Sequence, residues 1–373
     1  MTTPRVAVIG VGGHGRSHVA RVHELAQGGR VEFVAAADPS VAAHLDQLSG
    51  VATFEDADTM LAEAAPDIVI ISTPIHTHFP LATAALKAGA DVLLEKPPTA
   101  TMDEFHALVA TAAETERLVQ VGFQSLGSTA IAEVHRRVAA GRIGQVLGYS
   151  ASAAWVRPLS YWERASWAGR RRVDGRVVAD GVLTNPLAHA SATALAVAGA
   201  TRAGDVVDVE LDLHRANEIE ADDTSVARFR LADGLSLTTA VSLCAEDREE
   251  PWISVEGTAG RLVFYYALDV VQEHHAGRAP FTTRHDRIDL LDNLLSARGG
   301  GSLCAPLSEL GGFMRLLDSV MAAPEPHAVD GAFVDRVLDE RGEHLVIRGV
   351  EEALLRAVTE QATFRELGVE WAR

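Results

Sequence analysis

The feature that most restricts what this chain can fold into lies in its first fifteen residues. Arg5-Val6-Ala7-Val8-Ile9 is an apolar run suited to a buried strand, and Gly10-Val11-Gly12-Gly13-His14-Gly15 comes next without a spacer. In such a G-x-G-x-x-G turn the first glycine permits the tight bend, the second lets backbone approach a pyrophosphate, and the third lets the next helix pack close to the strand. The helix beginning near His14 aims its first amides at the phosphates. Glycine-rich turns are common, so the motif needs support from the residues beyond it. A second apolar run, Val31 to Ala37, ends in Asp38, roughly twenty residues past the last glycine, where a dinucleotide site places a carboxylate on the ribose hydroxyls. That carboxylate repels a 2′-phosphate and no Arg or Lys follows it closely, so the expected cofactor is NAD, with NADP disfavoured.

The alternation of strand and helix then continues. A short strand is expected near Val51 to Phe54, a helix over Thr59 to Ala65, and a strand over Asp67 to Ser72 whose continuous apolar run suits burial on both faces of a parallel sheet. It leads into Thr73-Pro74-Ile75-His76-Thr77-His78, followed by a helix through Leu86 closed by Gly89. Ligands of doubly wound sheets bind beyond the carboxyl ends of the strands, so Thr73, Pro74, His76 and His78 are expected to line the cofactor cleft. The next strand, Asp91 to Leu94, runs straight into Glu95-Lys96-Pro97-Pro98. The two prolines restrict the backbone there and direct Lys96 toward the same cleft. A strand over Leu118 to Phe123 ends at Gln124 and completes a pattern of about six strands.

Gly10, Gly12 and Gly15, then Thr73-Pro74 with His78, then Glu95-Lys96-Pro97, then Val121-Gly122-Phe123-Gln124 stand in an order and spacing that resembles the Gfo/Idh/MocA oxidoreductases. The likeness is clear over the first 125 residues and looser beyond; Glu-Lys-Pro is its specific part. It implies an α/β protein: an N-terminal Rossmann domain with a doubly wound parallel sheet (1–124), then an α/β domain with a large open, mainly antiparallel sheet (125–373) that binds substrate and often serves oligomerisation. Gly10, Gly12, Gly13, His14, Gly15, Asp38, Thr73, Pro74, His76, His78, Glu95, Lys96 and Gln124 are the expected cofactor-binding residues.

In the second part, strands are expected over Gln145–Ala153, Asp205–His214, Thr224–Leu231, Leu235–Leu243, Trp252–Glu256 and Arg261–Tyr266, with glycine-bearing hairpin turns between several of them. Helices over Ser308–Ala322 and Gly349–Leu367 are expected to pack back along the first domain. Asn185-Pro186 reads as a helix start, with Asn as N-cap and Pro at the first helical position. His189 then falls in the first turn, where the helix dipole disfavours imidazolium and keeps the ring able to accept a proton. Relatives that this chain resembles place an Asp and a His four apart here, working with the Glu-Lys-Pro lysine. In this chain Asn185 takes the Asp position and Ala192 stands where a further Asp often follows.

The expected chemistry is hydride transfer between a nicotinamide cofactor and a hydroxyl-bearing carbon of a sugar, polyol or sugar derivative. His189 serves as general base, Lys96 donates a hydrogen bond to the reacting oxygen or acts as the base itself, and Asn185 orients. Trp162, Trp167 and Arg170 suit a sugar, because aromatic faces cover its C–H side while guanidinium groups bond hydroxyls or a carboxylate. Two other readings stay open: retained NAD acting as a redox catalyst within one cycle, and a nucleotide-binding regulatory protein that has lost catalysis. The balance of 51 acidic against 33 basic side chains argues against nucleic acid or an anionic membrane as partner. No basic, apolar leader and no run of eighteen apolar residues is seen, so a cytoplasmic protein is expected, and the resemblance implies a homodimer or homotetramer. Cys244 and Cys304 have no metal-ligand neighbours at short spacing and His274-His275 has no placed carboxylate, so no metal site is expected. Arg298 to Ser302 reads as a flexible loop or lid.

Overall fold

A computed structural model describes residues 3–373, and the chain divides into two units: Met1–Phe123 with Asp289–Ser308, and Gln124–Ile288 with Glu309–Arg373. The first unit holds six parallel strands, β1 (Arg5–Ile9), β2 (Glu32–Ala37), β3 (Ala52–Phe54), β4 (Ile68–Ile71), β5 (Asp91–Leu94) and β6 (Val119–Val121), in the order β3-β2-β1-β4-β5-β6. This doubly wound order reverses direction at β1, between β2 and β4, and leaves a crevice at the carboxyl edge there. β4 and β5 are buried along their whole length, as strands covered on both faces must be.

The helices of this unit are α1 (Gly15–Gln27), α2 (Ala57–Ala64), α3 (His78–Lys87) and α4 (Met102–Thr115). Val19, Val22 and Leu25 form the buried stripe of α1 and pack on Val6, Val8, Ile68 and Ile70. The α2 helix starts two residues before the sequence-based expectation because the Asp56 carboxylate accepts the Thr59 amide at 2.7 Å and caps it. Thr101 caps α4 through the Glu104 amide while Glu104 accepts the Ala100 amide, a reciprocal arrangement close to a capping box.

The segment Asp289–Ser308 departs from the expected division, which assigned everything after residue 124 to the second domain. Its helix, Leu290–Ala297, buries Leu290, Leu291 and Leu294 in the core of the first unit. Gln120 of β6 reads it by side chain, donating to Asn293 Oδ1 at 2.6 Å and accepting the Ala305 amide at 3.0 Å. The glycine-rich stretch that the sequence marks as a lid is tied down. Arg298 donates to Asp67 O at 2.8 Å and pairs with Asp91 at 3.1 Å, and Ser302 O accepts from Asn293.

The second unit is built on a nine-stranded mixed sheet. After α5 (Ala130–Ala139), the strand β7 (Val146–Ala154) runs through its middle, antiparallel to Trp252–Gly257 and parallel to Ser236–Ser242. Strands Val270–His274 and Phe281–Arg284 extend one side beyond those expected. Helix α6 (Ala188–Ala198) is buried over most of its surface, with small residues such as Ala190, Ser191 and Ala194 fully buried, which lets it lie close against β7 and Ser236–Ser242.

The two C-terminal helices belong to the second unit. Gly311–Ala322 packs on α6 and strand Val206–Arg215; a Cβ on Gly312 would lie 2.3 Å from Ala200 O, so the close approach requires glycine. Val350–Glu360 buries Val350, Ala353, Leu354 and Ala357 on a sheet face carrying Ala154, Val226 and Ala240. Its apolar stripe has a matching partner in its own unit. Among the described residues no helix is long and apolar enough to cross a membrane.

Candidate functional site

The glycine turn meets its steric demands one by one. Gly10 has a φ of +84°, and a Cβ there would lie 2.3 Å from Ser72 O; a Cβ on Gly15 would lie 2.0 Å from Gly10 O. A Cβ on Gly13 would meet nothing within 4 Å, so the backbone is open to a ligand. The turn is held by Gly10 N donating to Ala37 O and Gly15 N to Gly12 O, both at 2.8 Å. His14 caps α1 with no side-chain hydrogen bond to the helix amides, which leaves them for an anion.

A cavity of about 600 Å³ opens at the carboxyl edge of this sheet, lined by Gly10, Gly12, Asp38, Ser40, Thr73 and Thr77 among others. Its size suits part of a dinucleotide. Asp38 accepts the Val11 amide at 3.1 Å and the Ser40 amide at 2.8 Å. One carboxylate therefore fixes both the glycine turn and its own turn, and its remaining lone pairs can take ribose hydroxyls. Thr73 and Pro74 also line the cavity. His78 serves the scaffold instead. Its ring nitrogens lie 2.8 Å from Pro97 O and 2.8 Å from Thr73 O, and burial pushes its pKa down. It staples the β4 loop to the Glu-Lys-Pro segment. His76 is half-buried one turn earlier.

Glu95 and Lys96 emerge from β5 at the same edge. Glu95 is buried, and a Cβ on Gly122 would fall within 3 Å of its carboxylate, which explains the glycine in Val121-Gly122-Phe123. His18 Nε2 lies 2.9 Å from Glu95 Oε1 and His14 Nε2 lies 3.3 Å from it. Burial by itself would raise the Glu95 pKa, but the hydrogen bonds from His14 and His18 more than reverse this and hold the carboxyl well below its ordinary range. The same contact raises the His14 pKa against the opposing effect of burial. His14, His18 and Glu95 bring their ligating atoms within 4.8 Å of one another. The sequence reading missed His18, although its spacing of four from His14 places both on one face of α1. Lys96 is half-buried, next to a cis peptide bond to Pro97.

In the second unit, His189 is the second residue of α6, and its Nδ1 lies 3.0 Å from Ser125 Oγ. Thr193, one turn further on the same face, donates to Ser125 Oγ at 2.7 Å. With the ring proton on Nδ1, Ser125 accepts from both partners and Nε2 carries the lone pair that a general base needs. Ser125 is buried in the turn Gln124–Gly127 that follows the first unit; Gln124 beside it is exposed. Ser125 and Thr193 were not identified from sequence, because a serine and a threonine 68 positions apart carry no pattern.

Asn185 is not the N-cap of α6; Leu187 is, without a side-chain cap. Residues 181–187 form turns in which Asn185 N donates to Gly181 O and Leu187 N to Val182 O. The Asn185 amide is committed to Asp180 Oδ1 instead. Asp180 is fully buried and also takes the Gly169 amide at 2.7 Å and Arg164 Nη2 at both oxygens. A buried carboxylate, Asp180, thus stands five residues before Asn185 and is linked to it by a hydrogen bond. Gly181 is required because a Cβ there would lie 1.9 Å from Asp222 Oδ1. Trp167 stacks on Arg164, with the guanidinium carbon 4.7 Å from the ring centre. Trp162 and Arg170 instead line a separate cavity of about 1000 Å³ that includes neither Asn185 nor His189, and Arg170 pairs there with Glu220 at 3.3 Å.

Comparison with known proteins agrees with this anatomy. A family model described as the oxidoreductase family with NAD-binding Rossmann fold matches residues 4–123, and the GFO/IDH/MocA C-terminal domain model matches residues 131–263. Inositol 2-dehydrogenase 1 of Saccharopolyspora erythraea is 35% identical over 145 residues, covering 38% of this chain and 43% of that protein. The scyllo-inositol 2-dehydrogenase (NAD(+)) of Bacillus subtilis is 31% identical over 146 residues, covering 39% and 43%. The match thus spans less than half the length of these curated relatives. Among solved structures, the WlbA dehydrogenase of Bordetella pertussis in complex with NADH and UDP-GlcNAcA superposes with a TM-score of 0.70 at 22% identity, over 86% of this chain and 96% of that one. A levoglucosan dehydrogenase in complex with NADH gives 0.70 at 20% identity over the same shares. At such identities these structures establish the shared fold.

Proposed function

Because this chain belongs to the Gfo/Idh/MocA oxidoreductase family and its first unit is that family's NAD-binding Rossmann domain, we propose that it is an NAD-dependent dehydrogenase acting on a CH–OH group of a sugar, polyol or sugar derivative. The observation that carries the reading is the Glu95-Lys96 step. A buried β5 delivers an ammonium group at the carboxyl edge of the sheet whose glycine turn is shaped for a pyrophosphate. The relatives named inositol dehydrogenases support the substrate class.

Bound NAD would supply the hydride acceptor; the protein supplies binding, orientation and the proton path. Gly10, Gly12, Gly13 and the first amides of α1 would hold the pyrophosphate, and Asp38 the adenosine ribose. His189 Nε2 takes the hydroxyl proton, with Ser125 fixing the ring through Nδ1. Lys96 donates to the reacting oxygen as alkoxide character develops. Asn185 cannot titrate; its amide, anchored on Asp180, orients. We also propose a cytoplasmic homo-oligomer associating through the large sheet of the second unit, a reading supported by Leu147 of β7 and Leu355 of the helix Val350–Glu360, which are 61% and 56% exposed and line one cavity.

The test follows nicotinamide absorbance with NAD, then NADP, against inositols, aldoses, sugar acids and glycosides, for the wild type and Lys96→Ala. NADH formation lost in the variant is the expected result. Activity surviving in Lys96→Ala would remove the lysine from the chemistry. Nucleotide released on denaturation without net NADH in any assay would favour retained NAD acting within one cycle.

A further inference from the structure

Directly after β7, the chain gathers guanidinium groups onto aromatic rings. Trp155 and Arg157, two residues apart in extended backbone, project to the same side. Their segment is pinned to the sheet: Trp155 N donates to Ser242 O, Arg157 N to Leu243 O and Ala245 N to Trp155 O. The Arg157 guanidinium carbon lies 4.9 Å from the Trp155 ring centre and 5.0 Å from that of Tyr161. Arg248 covers Trp155 at 4.8 Å, and Arg164 covers Tyr161 at 3.9 Å and Trp167 at 4.7 Å. Arg164 holds Asp180, which holds Asn185, four residues before His189.

Stacking alone explains part of this array, since a cation over an aromatic face is attractive and holds a loop to its neighbour. It leaves the charge unexplained. Arg164 has its carboxylate in Asp180. Among the described residues Arg157 and Arg248 have no acidic partner within ion-pair distance, in a chain carrying 18 more acidic than basic side chains. Of the neighbouring acids, Asp247 pairs with Arg341 at 3.6 Å and the Glu351 carboxylate accepts the Glu246 amide. Arg157 is half-buried with its Nε lacking an acceptor. Burial lowers its pKa first, and the positive charges of Arg248 and Arg164 lower it further, with Tyr161 opposing. Two guanidinium groups that share the Trp155 ring without counter-charge repel each other, and an anion that reaches both reverses the sign of that interaction.

We propose that Arg157 and Arg248, held flat by Trp155 and Tyr161, bind the carboxylate or phosphate group of an acidic sugar, so that the substrate class of this protein is an anionic rather than a neutral carbohydrate. The inference rests on the dehydrogenase reading and narrows it. Planar guanidinium forks match either oxyanion in two-pronged fashion.

The experiment is calorimetric titration of the full-length protein, saturated with NADH so that no turnover follows, with glucuronate, glucose 6-phosphate and glucose at fixed ionic strength. At least one acid is expected to bind about tenfold or more tightly than glucose, and which acid wins distinguishes carboxylate from phosphate. Arg157→Gln and Arg248→Gln should each reduce that preference by several-fold while melting temperature is followed in parallel. Arg248 lies on an exposed turn, so its variant keeps the question decidable if Arg157→Gln fails to fold. Glucose binding as tightly as both acids, or a preference intact in Arg248→Gln, overturns the proposal. Acid binding without NADH production from any sugar in the separate assay would instead retain the anion site and remove the dehydrogenase reading.

Discussion

The two units solve the same problem, placing reactive groups accurately, by different means. In the first, backbone does most of the placing: a glycine turn, a short parallel sheet and an acidic residue at the end of β2 make a cradle whose dimensions follow from missing side chains. In the second, side chains hold side chains. Ser125, Thr193 and His189 form one hydrogen-bonded set, and Arg164, Asp180 and Asn185 another. A backbone site fails by steric collision when a Cβ is added; a side-chain site fails by losing orientation or proton affinity.

The sharpest break of this comparison is Gly10→Ala. Its methyl group would lie 2.3 Å from Ser72 O on a backbone with φ +84°, so the turn must open or unfold. NADH affinity, read by fluorescence titration, should fall by about a hundredfold or more, in line with a cost of several kcal/mol. Unchanged affinity would mean that the turn does not carry the cofactor. His189→Ala comes next: kcat should fall by about 10²–10⁴ with little change in NADH affinity, as removal of a general base demands. An equal loss in both would relocate His189 to the binding of cofactor.

This difference also decides what could be read from sequence. The β1 turn is a local string whose glycines answer steric demands at their own positions, and the six-strand pattern followed from alternation alone. Asp289–Ser308 could not be assigned to the first unit that way, because its reason is Gln120 meeting Asn293 and Ala305 across 173 and 185 positions. Asn185-Pro186 looked like a helix start because both residue types favour one; the Asp180 carboxylate outcompeted the cap, and the helix began two residues after Pro186. Trp162 and Trp167 are equivalent in sequence, yet Trp167 meets Arg164 while Trp162 lines the cavity it shares with Arg170.

A finer test of the second unit is Ser125→Ala, which removes the acceptor for the His189 ring while leaving the ring in place. The kcat should fall by about tenfold, the scale of one hydrogen bond to a group that becomes charged. The acidic limb of its pH profile should also move, which a merely structural serine would not cause. Ser125→Thr, retaining the hydroxyl, should restore both. If kcat falls while the profile stays fixed, Ser125 acts on packing and the tautomer argument fails.

The smallest expected effect lies where the first unit uses a side chain after all. The His14 pKa stands above its ordinary value of 6.5 because of Glu95, with burial and Lys96 acting the other way. Glu95 itself, held far below its usual range, stays ionised throughout the neutral region. The protonated form of His14 is therefore favoured in the folded protein, so the contribution of the pair is complete below pH 6.5 and is lost as pH rises through the raised value. If the imidazolium at the start of α1 also faces the pyrophosphate, NADH should bind more weakly as pH climbs from 6 to 8, by about fivefold at most, since His14 is more than half exposed and solvent screens it. In His14→Ala the titration should be flat over that interval. A wild-type curve already flat, or a slope that persists in the variant, would assign the His14 contact with Glu95 to holding α1 on β5, with the cofactor gripped by backbone alone.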